Sequence, residues 1–209
     1  EIDNVLTKLK NSNIENLMVL RGDPTVGTDH FIQPEGGYHN AGELISAVLK
    51  HSDFGIGAAG YPEGHVENPD KDDDRKHLHG KIAAGAEFIV TQFFLDNTHF
   101  LRWRDKLREE GANVPLVAGI LPPSNWKATS LMSEMCGVTI PEDLAKALFK
   151  HGNDPQASKE IGFVHVEKQI EGLLREGVEG VHLYALNSLE TVKRLGPKLR
   201  DAAGTYSVL

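Results

Sequence analysis

The sequence predicts an α/β protein built on a parallel sheet. Five short apolar runs occur in order: LMVL (17–20), FGIGAA (54–59), EFIVTQFF (87–94), VPLVAGI (114–120) and GVHLYAL (180–186). Each is followed by a segment whose apolar residues recur at helical spacing. No Asn-Gly hairpin signal separates alternating strands, and unbroken apolar runs suit strands covered on both faces by crossover helices.

Taken in order, residues 2–10 put Ile2, Val5, Leu6 and Leu9 on one helical face. The first strand ends in RGDP, where Gly22 and Pro24 stop it. The stretch 22–40 is too polar for a core and reads as an active-site loop. A helix follows over 40–51, around Leu44, Ile45, Val48 and Leu49. The tight strand 54–59 leads to a helix from about Asp72 to Ala84, then the strand 87–94. Asn97 can cap a helix over 97–109 that carries Phe100, Leu101, Arg104 and Leu107. After the strand 114–120, PSNWKATSLMSEMCG supplies a short helix, and IPEDLAKALFK a second with its proline in the first turn. A longer helix over 155–176, the strand 180–186 and a helix over 188–200 complete the chain. No long linker divides it, so one domain is expected.

Composition narrows the function classes. Acidic residues outnumber Lys and Arg by 30 to 22, which gives a net charge of −8 and no basic nucleic-acid surface. That average still allows a local positive pocket for an anionic ligand. Cys136 is the only cysteine, so neither a disulfide within the chain nor a cysteine cluster for zinc or iron–sulfur is available. No apolar run is long enough to span a bilayer, and the start lacks a signal-peptide pattern. A cytoplasmic location is the expectation. The first residue is not Met, which suggests a chain that begins inside a longer protein.

In parallel α/β folds, ligands bind beyond the carboxyl ends of the strands. The polar residues fall there: Arg21, Gly22 and Asp23 after the first strand, then Gly60, Tyr61 and His65. Thr91 and Gln92 follow the third strand, Gly119 and Leu121 the fourth, Tyr184 and Asn187 the fifth. Arg21 and Asp23 form either an ion pair closing a turn or a charged pair that aims the carboxylate at a ligand. Tyr61 offers a flat ring and a hydroxyl, and His65 a donor or acceptor near neutral pH; a turn without a ligand is the plainer alternative. Asp74, His77 and Lys81 share one face of the next helix, where a lysine would attract phosphate and an aspartate accept from ribose hydroxyls, unless the face is merely solvated. Gln92 would satisfy a heterocycle with both its amide groups, or tie down the following loop. Phe93 and Phe94 are core or a stacking wall, while Trp103, Trp126 and Cys136 read as packing residues. Glu63, His65, Asp74, His77 and His79 lack a metal-binding spacing, so no metal is expected. GIGAAG leads into Tyr-Pro instead of a helix, so a nucleotide would bind without the Rossmann phosphate loop.

Taken together, LMVLRGDP, GIGAAGYPEGH, AGAEFIVTQFF, VPLVAGILP, CGVTIP and GVHLYALN resemble the methylenetetrahydrofolate reductase family, over a span from the first strand to about Leu195. The resemblance implies a TIM-type (β/α)8 barrel that binds FAD at its carboxyl rim. NADH or NADPH reduces the flavin, which then reduces 5,10-methylenetetrahydrofolate to 5-methyltetrahydrofolate in one-carbon metabolism and methionine biosynthesis. It implies Arg21, Gly22, Asp23, Ala59, Tyr61, His65, Asp74, His77 and Lys81 as cofactor-binding residues. Asp23 and Gln92 take the catalytic roles, and Asp23, Gln92, Phe94, Leu121 and Tyr184 contact the folate. Gly80 stands where relatives can have Arg, His77 where they can have Asn, and Ala185 where threonine is usual.

A full barrel has eight strands and five are counted here. The resemblance therefore implies a domain over 1–209 that lacks its amino-terminal part, three strands or about 90 residues at barrel proportions, with the family's general-acid glutamate. None of Glu1, Glu15 and Glu35 sits in a matching motif. An isolated arc would expose two sheet edges, so upstream sequence or a complementary chain is expected. The leading expectation is a homo-oligomeric flavoenzyme acting on a folate, without nucleic-acid or membrane partners. The alternatives are a catalytically impaired flavin- or folate-binding relative and a barrel-completing partner subunit.

Overall fold

The computed structural model describes residues 2–24, 27, 31–68 and 70–203, with the side chains of 201–203 excluded. Five strands, β1 (Asn16–Val19), β2 (Gly55–Gly60), β3 (Phe88–Thr91), β4 (Leu116–Ile120) and β5 (Gly180–Leu183), form one parallel sheet in the order β1-β2-β3-β4-β5. Sequential parallel neighbours joined by crossovers make an arc of a (β/α) barrel. The helices are α1 (Ile2–Asn11), α2 (Ala41–His51), α3 (Lys71–Ala83), α4 (Asn97–Glu109), α5 (Trp126–Cys136), α6 (Glu142–Lys150), α7 (Pro155–Arg175) and α8 (Leu189–Ala203). The α/β class and the parallel sheet read from the sequence are the observed ones. Among the described residues, no helix is long and apolar enough to cross a membrane.

Register sorts the strand residues into two faces. Val19, Ala58 and Ile89 follow one another across the sheet, as do Leu116, Ala118 and Ile120 along β4. All are buried in the main core with Phe100, Leu107, Val166, Ile170 and Leu173 from α4 and α7. The opposite parity carries Met18, Gly57, Ala59, Phe88, Val90, Val117, Gly119 and His182. A second, smaller cluster of Phe93, Leu95, Val138, Leu144 and Leu148 sits under α5 and α6.

Boundaries differ from expectation where apolarity reports burial instead of pairing. The run 87–94 yields a ladder over Phe88–Thr91 only, and Phe93, Phe94 and Leu95 continue as buried core beyond it. Asp96, not Asn97, caps α4, accepting from the Thr98 N–H at 2.9 Å. Asn97 is already helical and donates to the Gln169 carbonyl at 2.9 Å, which ties α4 to α7. Pro141 is the residue just before α6 and not in its first turn. Asp70 and Asp154 cap α3 and α7 through carboxylate bonds to first-turn N–H groups.

Candidate functional site

At the carboxyl ends of the strands lies a cleft of about 1230 Å³. Its wall includes Arg21, Gly22, Asp23, Ala59, Tyr61, His65, Asp74, His77, Lys81, Gln92 and Tyr184. Those eleven predicted positions, scattered over 164 residues of chain (Arg21 to Tyr184), therefore meet in one concavity because parallel strands all end on the same rim.

β2 delivers Ala59 and, after Gly60, Tyr61 and His65. Their rings meet edge to face with centroids 4.6 Å apart. Burial, with the Asp74 carboxylate adding to it, pushes the Tyr61 hydroxyl up to about 12. Burial likewise holds His65 below the usual imidazole value, and its Nδ1 accepts from the Glu67 N–H at 3.2 Å. Gly64 sits at φ +92°, a conformation that favours glycine, and its N–H donates to the Tyr61 carbonyl at 3.0 Å.

The α3 face brings in the charges. Lys81 donates from Nζ to the Ala59 carbonyl at 2.9 Å and lies 5.4 Å from the centre of the Tyr61 ring. Burial lowers its pKa, opposed by the charge of Asp74. Asp74 is itself buried and raised by desolvation, with Lys81 the strongest influence pulling it back. His77, one turn further out, is exposed and paired with Asp73 at 3.3 Å. Gly80 also lines the cleft, and a Cβ built there would meet nothing within 4 Å.

The first strand end differs from the expected pairing. Arg21 binds the Glu67 carboxylate at 2.8 Å and stacks over Phe31 at 4.6 Å, so its charge is committed across the loop and not to Asp23. Asp23 is exposed on the rim. Gln92 accepts at Oε1 from the Phe93 N–H at 3.0 Å, which is the loop-tying alternative, while its side chain still borders the cleft. Tyr184 donates to the Thr91 carbonyl at 2.9 Å and covers Gly119, where a Cβ would collide with that same carbonyl and approach Tyr184 within 2.9 Å.

Two expected contacts are corrected. Phe94 is fully buried and stacks on Phe100 with centroids 5.3 Å apart, so it belongs to the core. Leu121 packs against the smaller core cluster. Phe94 follows β3, which ends at Thr91 inside its apolar run, and is turned inward; Leu121, the residue directly after β4, is half-buried and is not part of the cleft wall. Cys136 also packs there, its thiol pushed up by burial and by Asp23. Glu1 lies outside the described residues. Sequence reasoning missed His182, Phe88 and Val90 as lining residues. Strand parity from Tyr184 and Gln92, two residues at a time, would have found them.

A parallel-sheet arc with flanking helices and an aromatic and charged cleft at its carboxyl rim has the architecture of a partial (β/α) barrel protein. The model of the methylenetetrahydrofolate reductase family matches residues 1–199, and the chain belongs to that family. The match begins at residue 1, and on that finding the expectation of a missing amino-terminal part is withdrawn. The chain is 37% identical to methylenetetrahydrofolate reductase (NADH) 1 of Arabidopsis thaliana, an alignment covering 90% of this chain and 33% of that protein. It is 36% identical to the 5,10-methylenetetrahydrofolate reductase of Pectobacterium carotovorum, over 86% of this chain and 58% of that one. The chain thus spans about a third of the plant relative's length. A solved Clostridium thermocellum protein, described as binding two copies of 5-methyl-5,6,7,8-tetrahydrofolic acid, superposes with a TM-score of 0.54 at 16% identity, covering 86% of this chain and 65% of that chain. That likeness supports the fold.

Proposed function

We propose that residues 1–209 act as one flavin-binding unit of a methylenetetrahydrofolate reductase. In this reading FAD binds in the rim cleft, NADH or NADPH is the reductant, and 5,10-methylenetetrahydrofolate is reduced to 5-methyltetrahydrofolate. The observation that carries it is the meeting of Tyr61, Asp74, Lys81 and Gln92 in one cleft, within a chain of this family.

The donor set fits such a cofactor. Lys81 is a partly buried cation whose neighbour Gly80 leaves open space, which suits a diphosphate. Asp74 accepts hydrogen bonds and suits ribose hydroxyls, with His77 at the outer rim. Ala59, with Gly57 beside it, keeps the sheet floor low, and Tyr61 and His65 supply a wall for a planar ring. Bound FAD supplies two-electron chemistry that no side chain of this protein has. Arg21 and Gly22 shape the first strand end. Asp23 presents a carboxylate toward the reacting side, and Gln92 and Tyr184 orient the folate.

The test is an absorption spectrum of the purified full chain with FAD, followed by anaerobic reduction. NADH or NADPH bleaches the flavin band and methylenetetrahydrofolate restores it. A chain that takes up no FAD overturns the reading. Bleaching without recovery supports the second reading, a flavin-binding relative without reductase activity, which Gly80 favours by adding no charge of its own to the wall beside Lys81.

A further inference from the structure

Glu63 sits between Tyr61 and His65 in sequence but faces the other way. It is absent from the cleft wall, and its side chain is only 7% exposed. Oε2 accepts from the Thr139 N–H at 3.0 Å, 76 residues away, and lies 3.5 Å from His99 Nε2 on α4. Thr139 belongs to the connection between α5 and α6. One carboxylate thus joins three βα units on the side of the turn away from the cleft. Oε1 has no hydrogen-bond partner among the described residues, so burying this carboxylate carries a desolvation cost that its bond to Thr139 has to offset.

The turn itself is short and stiff. Pro62 is buried, and the positive φ of Gly64 reverses the chain. Tyr61 and His65 therefore face the cleft together while Glu63 points to the opposite side. Bonds within the turn and to its neighbours on the cleft side, such as the Gly64–Tyr61 bond, the Asn68 N–H bond to the His65 carbonyl at 2.8 Å and the Arg21–Glu67 ion pair, fix its local shape, while Glu63 ties it to the separate layer of α4 and the α5–α6 connection. We infer that Glu63 is a positioning residue: by clasping the β2–α3 turn to Thr139 and His99, it sets the Tyr61–His65 pair as a rigid wall for the planar part of the ligand. The inference rests on the flavin reading for the identity of that ligand, and on the turn alone for the clasp.

The variants separate charge from reach. Glu63→Asp keeps the charge but is one methylene too short for Thr139. Glu63→Gln loses the charge and keeps an acceptor at the right distance. Hydrogen exchange on the ligand-free full chain reads the clasp directly. Glu63→Asp and Glu63→Ala should speed exchange at Gly64 and Asn68 about tenfold or more, with β2 and α3 unchanged, while Glu63→Gln stays near wild type. Unchanged exchange in Glu63→Asp overturns the inference, whether or not flavin binds. With FAD as the probe, Glu63→Asp should raise Kd about tenfold and change the visible circular dichroism of the saturated flavin, and Glu63→Gln should rescue both. A weaker Kd with an unchanged dichroic spectrum also overturns it, because ring orientation is what a positioning residue controls. If Glu63→Ala fails to fold, the Asp and Gln pair decides alone. A wild-type chain that takes up no FAD counts against the proposed function and leaves the exchange result to judge the clasp.

Discussion

The two faces of the sheet are made by alternate residues of the same strands, yet they obey different rules. On the helix side Ile56, Ile89, Leu116, Ala118 and Ile120 are all fully buried. On the cleft side Met18 is 43% exposed, and Phe88, Val90 and Val117 are partly open. Side chains toward the helices are chosen for volume. Those toward the cleft are mixed, some small (Gly57, Ala59), some with a polar tip (Gln92, His182, Tyr184) and some apolar but partly open (Met18, Phe88, Val90, Val117), because no helix layer among the described residues packs over this face. Stability and chemistry are thus separated by a period of two along each strand.

The comparison breaks most visibly on the helix side. Phe94→Ala should cost about 3–5 kcal/mol, because a fully buried ring stacked on Phe100 leaves a cavity that the crowded core cannot close. A urea titration reads this, and a loss below about 1 kcal/mol would place Phe94 in the cleft after all. Val90→Ala, four residues earlier, in β3, and facing the cleft, should cost less than about 1 kcal/mol by the same measurement.

On the cleft side the largest effect should come from the buried charges. Lys81→Met should weaken FAD binding about tenfold to a hundredfold, read by quenching of flavin fluorescence. It also removes the strongest influence pulling the raised Asp74 down, so that carboxyl should rise further. A carboxyl held above its unfolded value binds more protons when folded, so its stabilising contribution is present at low pH and lost as pH rises through the folded value. The stability gap between Lys81→Met and wild type should therefore widen from acid to neutral pH. A gap that stays constant with pH would mean Asp74 does not feel Lys81.

Smaller effects sharpen the picture. Gly80→Ala should stabilise by about 0.5–1 kcal/mol, since the position is helical and a methyl meets open space. A destabilised variant would show that the wall beside Lys81 is tighter than drawn. His65 gives the mildest test. Its folded pKa is depressed by burial, so its contribution to stability is present above the ordinary value of about 6.5 and lost as pH falls through the folded value. An imidazole NMR titration should find the midpoint below that value. His65→Asn should flatten the acid side of the stability profile slightly.

Legibility followed the same division. The five strands and their parallel order could be read from the chain because buried strands between crossover helices must be continuously apolar. The cleft members at strand ends could be read because polar residues directly after apolar runs have few other reasons to occur there. Phe94 and Leu121 misled for the converse reason: they lie beyond the ladder, where apolar composition does not say which way a side chain turns. Arg21 misled because its nearest acid in sequence, Asp23, is not its partner in space; Glu67 comes from the next βα unit. Glu63 drew attention only as an acid near histidines, and its bond to Thr139 spans a distance in sequence that no local pattern encodes.

By itself, then, the sequence determined the layer order, the rim on which chemistry collects and the family. Those depend on hydrophobic periodicity and local motifs, which are properties of neighbouring residues. The tertiary structure decided which charges pair, which aromatic rings are wall and which are core, and what holds the Tyr61–His65 turn. These depend on the meeting of segments far apart in the chain, and a hydrogen bond or a stacked ring exists only once the packing brings its two halves within a few ångströms.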